Sequence, residues 1–212
     1  MQNPLVSIIT PIYGVEKYME KCARSLFEQT YDNIEYIFVN DDTKDNSIKV
    51  LKSVIEHYPA RESQVLIINH KENKGLGAAR NTGISVCSGE YLIHIDSDDY
   101  IEKETIKRLV EEALRTKADV TICGYKRVYR NHSINCPPAK IADIDQYRKN
   151  VVSGCTSHTI WGKLIRASIY TNNKISAING LHQGEDYAVY PKIVYFAKNV
   201  RSVDGCFYNY VM

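Results

Sequence analysis

The chain has 212 residues, 44% of them hydrophobic and 25% charged, with a formal net charge of +2 at pH 7. That size and composition suit one globular domain whose core needs no disulfides, and the lack of any long Lys or Arg run excludes the clustered basic surface that nucleic acid requires. No apolar stretch approaches the roughly 20 residues of a membrane span, and the first residues carry neither a basic leader nor a cleavage site, so the sequence reads as cytosolic.

Leu5–Thr10 reads as a strand and Val15–Phe27 as a helix with Tyr18, Met19, Cys22 and Leu26 along it. Ile34–Val39 is the next strand. Asp45 or Asn46 can cap a helix carrying Ile48, Leu51, Val54, Ile55 and Tyr58 on one stripe. Val65–Ile68 is a third strand, followed by a short helix after Gly75-Leu76-Gly77. Tyr91–Ile95 is a fourth, Ile106, Leu109, Val110, Ala113 and Leu114 mark the helix after it, and Val120–Tyr125 is a fifth strand. Near-continuous apolar strands alternating with helices predict an α/β domain with a largely parallel sheet covered on both faces.

The second half is less regular. Cys136-Pro137-Pro138 closes a polar stretch, and Ile144–Val152 has helical spacing. Trp161-Gly162-Lys163 leads a short element, and Gly184-Glu185-Asp186 precedes a helical pattern that Pro191 either kinks or delays. Val200–Val203 and Cys206–Val211 read as two closing strands. The six cysteines lack Cys-x-x-Cys spacing and read as reduced, mostly buried thiols, and none of the six histidines has ligand spacing.

In open α/β sheets, ligands gather beyond the carboxyl ends of the strands, and four such ends here are unusually polar. Asp96 and Asp98 are two residues apart, so on extended backbone both carboxylates leave one face. Like charges so placed repel unless a cation joins them, and Mg²⁺ or Mn²⁺ binds through one or two carboxylates plus substrate phosphates. The competing reading, an acidic turn with Asp99 capping the next helix, is outweighed by the position after a buried strand. Asp41 and Asp42 are placed to hold a base or ribose, or equally to close an Asx turn. Gly75-Leu76-Gly77 is a weak form of a dinucleotide fingerprint, with Arg80 where its third Gly should stand. Its glycines allow close backbone approach to a ligand, and Arg80 is suited to a phosphate. Trp161 and Lys163 offer a sugar-stacking face and a cation, with a core-filling Trp as the alternative. Glu185 and Asp186 are adjacent acids near a helix start, where the helix dipole alone would favour them.

The segments VSIITPIYG, IFVNDDTKDNS, NKGLGAARNTGI and GEYLIHIDSDDYI, followed by a Trp-x-Lys and a Glu-Asp pair, resemble in order and spacing the inverting family 2 of nucleotide-sugar glycosyltransferases, to about Ala197. The resemblance implies the GT-A fold: a Rossmann-like, mostly parallel sheet flanked by helices with a less regular acceptor-side part. It implies a single domain over residues 1–212, with 1–128 holding the nucleotide-sugar and 129–212 the acceptor side. Pro11 and Tyr13 would line the nucleotide and Asp41 would bind its base, with Gly75, Arg80, Asp96 and Ser97 completing the donor site. Asp96 and Asp98 would hold Mn²⁺ or Mg²⁺, Asp98 most directly, and Asp186 would be the general base. Trp161, Lys163 and Glu185 would lie on the acceptor side. The implied reaction moves a sugar from a nucleotide diphosphate, by default UDP, to a saccharide or lipid-linked acceptor in polysaccharide or glycolipid synthesis, with peripheral contact at the inner membrane face for a lipid-linked one. One departure is Asp42, where the family commonly has Gly; it would occupy a turn conformation at some energetic cost. Many relatives continue past the position of Met212, so further acceptor-side elements are expected beyond it. Two rivals stand against this reading. A phosphohydrolase of the haloacid-dehalogenase kind places its Asp-x-Asp after the first strand, which here ends in Thr10-Pro11. A non-catalytic nucleotide-binding module would not need the intact set of Asp96, Asp98 and Asp186.

Overall fold

The computed structural model describes residues 3–178, 180–181 and 183–212. Its first half runs β1 (Val6–Ile12), α1 (Glu16–Phe27), β2 (Ile34–Asn40), α2 (Ser47–Ile55), α3 (Pro59–Glu62), β3 (Val65–Asn69), α4 (Leu76–Val86) and β4 (Tyr91–His94). The second half runs β5 (Tyr100–Ile101), α5 (Thr105–Thr116), β6 (Val120–Val128), β7 (Ser133–Cys136), α6 (Ile144–Val152), β8 (Lys163–Arg166), α7 (Ala167–Asn172), α8 (Glu185–Phe196) and β9 (Val200–Val211). All strands join one sheet in the order β3-β2-β1-β4-β8-β6-β9-β5, with β7 beside β6.

The expected parallel sheet is confined to β3-β2-β1-β4 and to the β6–β9 pair. β8 lies antiparallel between β4 and β6, and β5 and β7 are also antiparallel to their partners. Apolar runs mark strands but not their direction, which here is set by where the chain enters. β8 starts beside the carboxyl end of β4 and runs back along it, Ile93 opposite Leu164 and Tyr91 opposite Arg166. Its leading Trp161-Gly162-Lys163 therefore sits at the ligand edge of the parallel half. The two closing strands predicted after residue 200 are one 12-residue strand. The register against β6 slips between Cys123 and Gly124 and again before Tyr125, so an irregularity near Asp204 and Gly205 looked like a break. α8 starts at Glu185 and contains Pro191. The ring removes the usual donor to the Tyr187 carbonyl, at an exposed position where water can replace it.

Side chains leave alternate faces of the central strands and meet helices on both sides. Val6, Ile8 and Ile12 join Met19, Cys22 and Leu26 of α1, Leu51 and Val54 of α2, and Ile106, Leu109 and Val110 of α5. On the opposite face Ile9, Ile37, Val39 and Leu92 meet Ala79 of α4, Tyr147 and Val151 of α6, Ile169 of α7, and Val189 and Ile193 of α8. Each such fully buried aliphatic or aromatic residue contributes about 1.5–3 kcal/mol. Cys22 alone among the six free thiols is fully buried, while Cys155 is exposed and the other four lie half-buried, a more open set than their apolar neighbours implied. Among the described residues no helix is long and apolar enough to cross a membrane.

The ligand edge is held by side chains that exchange caps. α1 begins after Val15, which has no capping side chain, so its first amides are satisfied from the β2–α2 loop. Gly14 N–H donates to Thr43 Oγ1 (2.8 Å), Val15 N–H to Ser47 Oγ (3.1 Å) and Glu16 N–H to Asp45 Oδ2 (3.0 Å). Asp45 Oδ1 meanwhile accepts from Ser47 N–H (3.0 Å), capping α2 as well, and Glu16 Oε2 accepts from Asn46 N–H (2.9 Å). These donors outweigh a burial effect of the opposite sign and hold the Asp45 carboxyl down at about 2. Its contribution is therefore complete above the ordinary carboxylate range and is lost as pH falls through that range towards 2. Asp45→Ala is expected to cost about 1–2 kcal/mol in urea denaturation at pH 7, as a lost cap does. The difference from wild type should shrink below pH 4, and a difference that does not narrow there would count against the double cap.

Candidate active site

Beyond the carboxyl ends of β1, β2 and β4 lies a cavity of about 380 Å³. Its wall includes Pro11, Ile12 and Tyr13 from the end of β1, Asp41 after β2, Asn73, Gly75 and Leu76 at the start of α4, and Asp96, Ser97 and Asp98 after β4. The structure thus brings seven of the residues expected at a donor site, Pro11, Tyr13, Asp41, Gly75, Asp96, Ser97 and Asp98, around one space. Tyr13 is 55% exposed and so leaves its ring free for a ligand.

Asp41 is buried and already has protein partners. Its Oδ1 accepts from Lys74 N–H (2.9 Å) and lies 2.6 Å from His70 Nδ1, while Oδ2 accepts from Gly75 N–H (2.7 Å). His70 Nε2 lies 2.9 Å from Thr82 Oγ1, so donation from Nδ1 to Asp41 and from Thr82 to Nε2 satisfies all three groups. Asp41 therefore anchors the Gly75 loop as well as facing the cavity. Gly75 has φ 87°, a conformation that disfavours a side chain, and it turns its N–H inward. His70 was missed in the sequence because a lone histidine with no ligand spacing carries no signal; only the fold brings it to Asp41. Asp42 has φ 59°, so it does take the left-handed turn that Gly would adopt more easily, with its carboxylate paired to Lys44 at 2.7 Å.

Asp96 and Asp98 do not lie on extended backbone as their spacing implied. Asp99 N–H donates to Asp96 O (3.1 Å), closing a turn that nonetheless keeps both carboxylates on the cavity wall. Burial and the neighbouring Asp96 push the Asp98 carboxyl above its ordinary range. Asp99 does not cap the following helix. It is 1% exposed and turns inward, accepting Tyr208 O–H on Oδ2 (2.6 Å) and Val211 N–H on Oδ1 (2.8 Å). Burial prevails over these two donors and lifts its carboxyl to about 7. Tyr208 Oη in turn accepts from Asp96 N–H (3.2 Å), so β9 braces the acidic turn from behind. A contact between residues more than a hundred positions apart leaves no local trace.

Arg80 does not reach for the cavity. It is 1% exposed and carries a cluster of carboxylates: Nη2 donates to Asp96 Oδ1 (2.8 Å), and Nη1 to Asp186 Oδ1 (2.6 Å) and more distantly to Glu185 Oε1 (3.4 Å). Three acids from two separate elements converge on the guanidinium. Burial alone would favour the uncharged form, yet Asp96, Asp186 and Glu185 outweigh it and hold the arginine charged above its ordinary range. Arg80 thereby couples the acidic turn after β4 to the first turn of α8.

Asp186 is the innermost of those acids on α8. Burial pushes its carboxyl up, Asp96 and Glu185 push the same way, and Arg80 and the Ile160 N–H (3.2 Å to Oδ2) oppose them. The net direction is upward, towards the range where a carboxylate works as a base at neutral pH. Trp161 is 9% exposed and lies flat on Tyr208 (4.3 Å between rings) and Tyr210 (5.6 Å), so the core-filling reading holds for one of its faces. Gly162 after it has φ 65°, and an added Cβ would come within 3.0 Å of the Tyr208 ring, which fixes Gly at that position. Lys163 is 6% exposed and not a surface cation.

The donor set can be tested against a divalent ion from its own chemistry. Among the described residues, no group of three or more His, Cys, Asp or Glu is arranged to hold a metal. Two carboxylates facing one cavity, Asp98 raised by burial and by Asp96, fit a hard ion that takes its remaining ligands from phosphate and water.

The chain matches the profile described as "Glycosyl transferase family 2" over residues 7–167, most of its length, ending before Glu185 and Asp186. Two relatives come from Bacillus subtilis. An uncharacterized glycosyltransferase, EpsJ, is 41% identical over 135 residues, covering 64% of this chain and 38% of its own. A putative glycosyltransferase, EpsH, is 33% identical over 218 residues, covering 99% of this chain and 61% of its own. Among solved structures, residues 1–349 of S. aureus TarS in complex with UDP superimpose with a TM-score of 0.83 at 22% identity, over 98% of this chain and 60% of that one. This likeness shows that the fold is of the GT-A kind. The chain spans less than two thirds of the length of each of these proteins.

Proposed function

The chain belongs to glycosyl transferase family 2, and from that premise we propose that it transfers a sugar with inversion from a nucleotide diphosphate donor, UDP by default, to an acceptor hydroxyl in polysaccharide or glycolipid synthesis. One observation carries the reading. The cavity that takes in Asp41, Gly75, Asp96 and Asp98 is joined through a single buried arginine to Asp186, so a place for the diphosphate and a candidate base are held in fixed relation. UDP in the TarS structure of the same fold supports the choice of nucleotide.

In this reading Pro11 and Tyr13 line the nucleotide, and Asp41 faces the base while it holds the Gly75 loop. Asp96 and Asp98 would hold Mn²⁺ or Mg²⁺, which when bound neutralises the charge growing on the departing diphosphate. Ser97 sits between them on the same wall. Asp186 takes the acceptor hydroxyl proton as that oxygen attacks the anomeric carbon opposite the leaving group, with Glu185 beside it raising its basicity. Arg80 keeps the acids in place without touching the donor. The residues 1–128 would then form the donor half and 129–212 the acceptor half of one domain. The acceptor would be a saccharide or a lipid-linked saccharide, met in the second case at the inner face of the membrane.

The test is a thermal-shift panel of UDP, GDP, ADP and NAD with and without Mn²⁺. A ligand that binds the folded state raises the midpoint with its affinity. UDP with Mn²⁺ is expected to give the largest shift and UDP alone a much smaller one. Equal shifts with and without metal would contradict the bridged diphosphate, and a largest shift with ADP or NAD would return the Gly75 loop to a dinucleotide role.

A further inference from the structure

A second cavity, of about 270 Å³, shares no residue with the first. Its wall includes Lys163, Thr159, Ser157, Trp161, Pro137 and Pro138. Lys163 is 6% exposed, and no carboxylate of the described residues stands within ion-pair distance of its ammonium. Nζ donates one hydrogen bond, to Thr159 Oγ1 at 2.9 Å, and otherwise faces the rings of Tyr190 (4.8 Å) and Trp161 (5.7 Å). Ser157 Oγ extends the hydroxyl chain, 2.9 Å from Thr159 Oγ1.

The acids nearby do not answer this charge. Asp186 has Arg80 on one oxygen and the Ile160 amide on the other, and the Cys123 thiol is pushed by burial up to about 12 and stays uncharged. Burial pulls the Lys163 ammonium down to about 8, against the pull of Asp186, so it remains mostly protonated at neutral pH. A buried ammonium held only by a hydroxyl and ring faces is costly to keep, and an apolar side chain of like length would fill the same space without that cost. An anion entering the cavity would complement its charge, beside the Thr159 and Ser157 hydroxyls already linked to the ammonium.

We propose that this cavity is a binding subsite for an oxyanion group, a carboxylate or a phosphate ester, held by the Lys163 ammonium and the Thr159 and Ser157 hydroxyls. The subsite does not depend on the donor cavity being read correctly, since the two have no wall in common.

Trp161, the only tryptophan of the chain, lines the cavity and supplies the readout. Its fluorescence, excited beyond tyrosine absorption, is followed in titrations with sodium phosphate, glucose 6-phosphate and sodium glucuronate at constant ionic strength, with glucose and sodium chloride as controls. A saturable change with at least one oxyanion and none with the controls is expected, weakened roughly tenfold or more in Lys163→Met because a charge-assisted hydrogen bond is lost. Tighter binding of glucose 6-phosphate or glucuronate than of inorganic phosphate would identify a saccharide-borne group; the reverse would identify a free anion. If circular dichroism shows Lys163→Met unfolded, Thr159→Val and Ser157→Ala decide, each expected to weaken binding several-fold. No saturable change in the wild type, or equal affinity in these variants, would overturn the proposal.

Discussion

Asp186→Asn is expected to lower sugar transfer by roughly 10²–10⁴-fold, the usual worth of a positioned general base, while UDP and Mn²⁺ binding stay close to wild type. The amide oxygen of Asn can still accept from Arg80 or from Ile160 N–H, so the first turn of α8 keeps its anchor. What it cannot do is take a proton. An unperturbed aspartate titrates near 3.9, too low to be an efficient base at neutral pH. Here burial first, then Asp96 and Glu185, raise the Asp186 carboxyl against the pull of Arg80. The transfer rate should therefore fall on acidification at a pH above the ordinary carboxylate range, as the base becomes protonated. Glu185→Gln removes one of the raising charges, so its acid limb should move to lower pH with a smaller loss of rate. Hydrolysis of the donor, with water in place of the acceptor, gives a readout that needs no acceptor. Wild-type hydrolysis by Asp186→Asn would remove Asp186 from the chemistry.

The second large effect belongs to stability. Arg80→Met is expected to destabilise the fold by about 3–5 kcal/mol, as breaking a buried ion network does when charges are left without a partner. Asp96, Glu185 and Asp186 would then face one another with the shared guanidinium gone. Methionine fills most of the space, so the loss would be electrostatic and not a cavity effect. Its pH dependence has a definite sign. Repelling carboxylates bind protons more tightly when folded, so part of the lost stability should return as pH is lowered from 8 to 5. Urea denaturation across that range measures both quantities. A loss below about 1 kcal/mol, or one indifferent to pH, would mean that the arginine does not hold the acids together.

The parallel half of the fold was legible because its strands are short apolar runs and each one ends in a polar segment at the ligand edge. That is why Pro11, Tyr13, Asp41, Gly75 and the Asp96–Asp98 turn could be named before they were seen around one cavity. The antiparallel half was not legible in the same way: Lys163–Arg166 is a four-residue strand whose direction no local pattern records. The three carboxylates that the fold delivers to Arg80 leave no trace beside it in the sequence, since they come from two distant segments. The roles of His70, Asp99 and Tyr208 were hidden for a related reason. Each is ordinary in its own segment and gains its role from a residue brought close by the sheet: Asp41 for His70, and Asp96 and Val211 for the Tyr208–Asp99 pair.

If the Asp96–Asp98 turn and a nucleotide diphosphate share one divalent ion, calorimetric titration of UDP into the protein with Mn²⁺ will separate wild type from Asp98→Asn. Asparagine keeps the shape of the side chain and removes the charge, and the Asp99 N–H to Asp96 O bond that closes the turn does not involve the Asp98 side chain. The wild type is expected to bind UDP in a metal-dependent way, and the variant at least roughly tenfold more weakly at unchanged thermal stability, the scale of one lost charged contact. Equal UDP affinity in the two proteins, with Mn²⁺ present, would contradict the shared ion.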